Sequence, residues 1–101
     1  MEMNEKEMYE KRAELKLKEL GSKIDQLKAK ADGLVAKKKE KYYKRVENLR
    51  SEMNRVSENL SKMKETSQDA WVGMKKGFDK SLKNLEDGFN KAASRVKKLI
   101  S

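Results

Sequence analysis

The densest run of chemically competent side chains is Lys37-Lys38-Lys39-Glu40-Lys41-Tyr42-Tyr43-Lys44-Arg45. Cations at this density contact phosphates and release counterions, while adjacent tyrosines stack on bases or anchor in a headgroup layer. Lys37, Lys38, Lys39, Lys41, Lys44 and Arg45 are therefore the candidate anion contacts. No helix-turn-helix, zinc-ligand or aromatic sheet motif accompanies them, so nucleic-acid binding through 37–45 is expected to be nonspecific. The plain alternative is a solvated helical turn whose tyrosines pack on a neighbouring helix.

A second set of residues is apolar. WVGMKKGFDKS at 71–81 aligns with LKNLEDGFNKA at 82–92 and with ASRVKKLIS at 93–101, a repeat of 11 residues. Eleven residues close three helical turns, so Trp71, Met74, Phe78, Leu82, Leu85, Phe89, Val96 and Ile100 share one face. Lys80, Lys91 and Lys98 lie opposite. Such a stripe serves as a packing face against other helices. It also suits insertion into an anionic bilayer or lipid-granule surface. In either setting the Lys75 stem can lie across it.

Catalytic and metal chemistry have little to use. Cys and His are both absent, which excludes disulfides, thiolates, imidazole bases and the common zinc or iron ligand sets. Ser, Lys, Asp and Glu fall at solvent positions of helices, with no apolar pocket to shift their pKa and no phosphate-cradling glycine loop. The expectation is a non-enzyme without cofactor or metal. Met1, Met3 and Met8 read as a frayed end rather than a metal site. Gly73 and Gly77 form G-x-x-x-G outside any apolar span, and are expected to let a partner helix approach beside Trp71. Each costs about 1 kcal/mol of helix propensity relative to Ala.

The elements that must position these residues are helices throughout. Apolar residues make up 36% of the 101, charged residues 43%, and Pro is absent. Ala13, Leu17, Leu20, Ile24, Leu27, Ala31 and Leu34 follow alternating spacings of four and three, a heptad seam. A second seam runs through Val46, Leu49, Met53, Val56, Leu60 and Met63. Strict continuation of the first would place Lys38 and Lys41 on the seam. Two readings resolve this: a four-residue stutter, or a chain break at Asp32–Gly33, since Gly commonly follows a helix C-terminus. A further break is expected at 65–69, where Thr66 with Asp69, or Ser67 alone, can cap a new helix.

The fold class is therefore all-α, an antiparallel helical bundle or coiled coil of two or three long helices. It reads as one domain, with a neutral heptad helix over 1–32, a basic one over 34–65 and the amphipathic repeat helix over 67–100. With both breaks the three helices can bury their stripes against one another; with one break, self-association is required. The net charge of +9 is uneven: 1–33 is neutral, and the surplus begins after Gly33. Met1 to Arg12 lacks the apolar centre of a signal peptide, and no apolar run spans a membrane. A soluble cytoplasmic protein, or one peripheral to a membrane, is expected.

The segment D-A-W-x-x-x-K-x-G-F-x-K, Asp69 to Lys80, and the ending K-A-A-S-R-V, Lys91 to Val96, follow a Lys/Glu-rich coiled coil. Together they resemble a family of small bacterial coiled-coil proteins labelled stress-response or uncharacterised. The resemblance implies a cytoplasmic helical protein without catalytic residues; this chain is more basic than that family's pattern. Functional expectations follow in order. First is an interaction or structural protein that associates with itself or docks another helical protein. Second is a peripheral binder of anionic membrane through 67–100, and third a nonspecific nucleic-acid binder through 37–45.

Overall fold

Asn4 opens the first helix by accepting the Glu7 N–H on its side-chain oxygen at 2.8 Å, and Glu5 and Glu7 favour the positive end of the helix dipole. The computed structural model describes residues 4–100, the Ile100 side chain excepted. Within them the chain forms three helices, α1 Glu5–Ala31, α2 Ala36–Lys64 and α3 Gln68–Ile100. Met1 and Met3 lie outside the described residues, while Met8 sits on α1, partly exposed at 44%.

The question at Asp32–Gly33 resolves as a turn. The N–H groups of Gly33 and Leu34 bond back to the carbonyls of Lys30 and Ala31 at 3.1 and 3.0 Å, closing α1. No described glycine takes a positive φ, so the turn forms without the left-handed residue that commonly follows a helix. The turn re-phases the chain. Lys38 and Lys41, which a continuous heptad would bury, face solvent, and Tyr42 and Val46 enter the core instead. The second break falls at 65–67, where Ser67 Oγ accepts the Ala70 N–H at 3.3 Å. Thr66 turns its hydroxyl back to the Met63 carbonyl at 2.6 Å.

α2 returns antiparallel to α1, and α3 returns antiparallel to α2, which sets α3 parallel to α1. Near the start of α1 and α3 the ring of Tyr9 meets those of Trp71 and Phe78, at 5.6 and 5.9 Å between centroids. Arg50, at the middle of α2, pairs at 2.6 Å with Asp25 in the C-terminal part of α1, and Leu49 lies beside Gly88 of α3. The bundle measures 51 × 23 × 16 Å.

Both heptad seams and the repeat face meet in one core. Ala13, Leu17, Leu20, Ile24, Leu27 and Ala31 come from α1, and Tyr42, Val46, Leu49, Val56, Leu60 and Met63 from α2. From α3 come Trp71, Phe78, Leu82, Leu85, Ala92 and Val96. Each fully buried Leu, Ile or Val contributes about 1.5–3 kcal/mol of transfer free energy. The ion pairs Arg50–Asp25 and Lys64–Glu14 bridge α1 and α2 at the exposed margin, where such pairs add about 1 kcal/mol or less. No helix among the described residues is long and apolar enough to cross a membrane.

Candidate functional site

The antiparallel return of α2 and α3 has an electrostatic consequence. It gathers the last turns of α1, the first turns of α2 and the last turns of α3 at one end of the bundle. α1 brings Lys28 and Lys30; α2 brings Lys37, Lys38, Lys39, Lys41, Lys44 and Arg45; α3 brings Lys91, Arg95, Lys97 and Lys98. Lys39 and Arg45 are half-buried and the other ten are exposed. The acidic residues in 28–45 and 91–100 are Asp32 and Glu40. The end thus carries +10, against +9 for the whole chain, and the rest is almost neutral.

The helices tolerate this charge unequally. Lys28 and Lys30 in the last turn of α1, and Lys97 and Lys98 in the last turn of α3, sit where the dipole favours cations. At the start of α2 the dipole has the opposite sign. That first turn has no acidic residue, and Lys37, Lys38 and Lys39 crowd into it. The N-cap residue is Val35, which makes no side-chain capping bond and is 69% exposed. A polar residue there would add about 1 kcal/mol. α1 and α3, by contrast, are both capped and carry acids in the first turn. The start of α2 therefore lacks both the side-chain cap and the first-turn acid that the other two helix starts have, a pattern expected where a surface serves something besides folding.

The tyrosines of this run are engaged inside the protein. Tyr42 is buried, with the Arg45 guanidinium 6.0 Å from its ring centre. The Tyr43 hydroxyl donates to the Asp32 carboxylate across the turn. That bond, then burial, then the nearby negative charge raise the Tyr43 phenol above its ordinary pKa. Neither ring is free to stack on a base. The lysines face out and the tyrosines pack inward.

The amphipathic stripe of α3 is occupied by the bundle itself. Trp71, Phe78, Leu82, Leu85 and Val96 are buried, and Met74 and Phe89 are partly buried against the core. The Ile100 side chain lies outside the described residues. Ala92, which alignment of the repeat leaves off the stripe, is buried at 2%. The Lys75 ammonium stands 5.3 Å from the Tyr9 ring centre and 5.5 Å from that of Trp71. The Tyr9 hydroxyl donates to Asp79, and burial, this bond and the Asp79 charge together raise its pKa strongly. Trp71, Lys75 and Phe78 of the D-A-W segment thus pack around Tyr9, and Asp79 holds its hydroxyl.

Gly73 and Gly77 depart from expectation. A Cβ at either would meet nothing within 4 Å, so neither admits a neighbouring helix of this bundle. Leu85→Asp would bury a charge at a position with no exposure. No group of three or more potential acidic metal ligands occurs among the described residues.

What the lysines joining 37–45 required was the topology. Lys91, Arg95, Lys97 and Lys98 could have been found by counting back along an antiparallel α3 from the 65–67 turn. Lys28 and Lys30 join only because the 32–35 turn exists.

Fold and site together define a class: an up-down-up three-helix bundle with a closed apolar core and one strongly cationic end. Comparison of the chain with known protein families, curated proteins and solved structures finds no match.

Proposed function

We propose that the protein is a non-enzymatic binding protein whose working surface is the cationic end of the bundle, and that its partner is a polyanion. One observation carries the reading: all of the chain's net charge sits at 28–45 and 91–100, drawn from three helices. A cluster of this kind raises the local concentration of anions and accelerates their capture. The first turn of α2 supports it, because three lysines and an uncapped valine are tolerated there at a cost to helix stability.

Docking through the α3 stripe is a weaker reading on this geometry. A partner helix or bilayer using Trp71, Leu82 and Leu85 would have to displace α1 and α2 from residues they bury. Self-association is likewise not demanded by unpaired seams. The stress association implied by the Asp69–Lys80 and Lys91–Val96 segments remains part of the proposal as a setting, and it does not specify the partner.

Heparin affinity tests the reading with a probe of pure anionic character. The protein should bind at low salt, with log K falling linearly against log salt. Lys38→Glu with Lys98→Glu should weaken binding far more than Lys18→Glu with Lys62→Glu, a control of equal charge change in the other half of the bundle. Equal losses in the two pairs would refute a localised site.

A further inference from the structure

Resting on the polyanion reading, we propose that the cationic end docks end-on to an anionic lipid surface, with the bundle closed and Val35 and Leu99 at headgroup depth. Among the described residues five large apolar side chains are notably exposed, and two of them, Val35 at 69% and Leu99 at 38%, lie at this tip. Val35 is in the turn between α1 and α2, and Leu99 is in the last turn of α3. Lysines flank both in sequence: Lys37 to Lys39 follow the valine, and Lys97 and Lys98 precede the leucine.

A small apolar tip within a ring of lysines matches the cross-section of a bilayer surface. Anionic headgroups answer the ammonium groups, and the first carbons of the acyl chains answer valine and leucine. At 1.5 Å rise per residue, Lys37 to Lys39, Lys41, Arg95, Lys97 and Lys98 have their Cα atoms within about 8 Å of the start of α2 or the end of α3, which lie level with each other. That depth is about one Debye length at physiological salt, so a plane presented end-on is felt by all of them.

Duplex nucleic acid is the competing partner, and it fits less of the tip. Phosphates would answer the lysines but leave Val35 and Leu99 in water. Single strands would call for an exposed ring, whereas Tyr42 is buried and Tyr43 is held by Asp32. Lying the amphipathic helix flat on the bilayer would instead require opening the core. End-on docking leaves every buried residue in place, and Trp71 far from the lipid.

Co-sedimentation with phosphatidylserine–phosphatidylcholine vesicles, set beside pure phosphatidylcholine vesicles, heparin and duplex DNA, tests this directly. Binding should require phosphatidylserine and fall with salt, and Trp71 emission should not change. Val35→Ser with Leu99→Ser, both at exposed positions, should lower vesicle affinity about tenfold and leave heparin affinity unchanged. Lys38→Glu with Lys98→Glu should weaken both, with each lysine near an anionic surface worth about fivefold. Binding to heparin or DNA without binding to vesicles overturns the lipid proposal and leaves the polyanion reading standing. Failure to bind any of the four anionic or lipid probes overturns both. Vesicle binding with a shift in Trp71 emission, or unaffected by the serine pair, overturns end-on docking.

Discussion

The Tyr43 hydroxyl donates to the carboxylate of Asp32, joining the second turn of α2 to the cap of α1 across the chain reversal. This bond turns the aromatic ring of the basic run inward and occupies one of the two carboxylates at the cationic end. It raises the Tyr43 phenol pKa, and burial together with Asp79 raises that of Tyr9.

Both shifts favour the neutral phenol in the folded protein. Their contribution to stability is complete below the ordinary tyrosine pKa of about 10 and is lost as pH rises above it. Denaturant midpoints should therefore decline on the alkaline side of pH 10. Asp79→Asn should lower the pH at which Tyr9 ionises in an ultraviolet titration. Asp32→Asn should do so for Tyr43 and also tighten heparin binding by removing a negative charge from the end.

Val35→Asp separates folding from binding. The aspartate would cap α2 and complement its dipole, so thermal stability should increase by about 1 kcal/mol. The same change removes the apolar tip and adds an anion, so affinity for anionic vesicles and heparin should fall. Loss of stability in this variant would show that Val35 is held by packing rather than exposed.

Gly73→Ala and Gly77→Ala should each stabilise the free protein by about 1 kcal/mol, because the new methyl groups meet open space on a regular helix. Urea midpoints measure this. A destabilising result would place a second chain or an unsuspected contact against this face of α3.

Leu85 has no exposure, and Leu85→Ala should cost about 2–5 kcal/mol. Leu15 is 64% exposed, and Leu15→Ala should change stability by less than about 0.5 kcal/mol. Chemical denaturation of the pair tests whether the helical repeat of α3 is core.

The helices were legible because apolar spacing alone identifies a buried face. The 4-3 alternation from Ala13 to Leu34 and from Val46 to Met63 became the inner faces of α1 and α2. The 32–35 turn was harder. A stutter and a break both move Lys38 and Lys41 off the seam, and the usual signal that a helix restarts, a polar N-cap, is replaced by Val35. The missing signal that blurred the boundary is the same feature that marks the candidate site. Gly73 and Gly77 misled for a different reason: G-x-x-x-G spacing shows that a close approach is permitted, not that a helix is there. Lys28 and Lys98 lie far apart in sequence and share an end only through tertiary topology.

Backbone-amide NMR during titration with heparin reaches the central claim most directly. Perturbations should be confined to residues 28–45 and 91–100, while the resonances around Tyr9, Trp71 and Phe78 stay fixed. Shifts spread evenly along all three helices, or centred on the Trp71 end, would contradict a working surface at the cationic end.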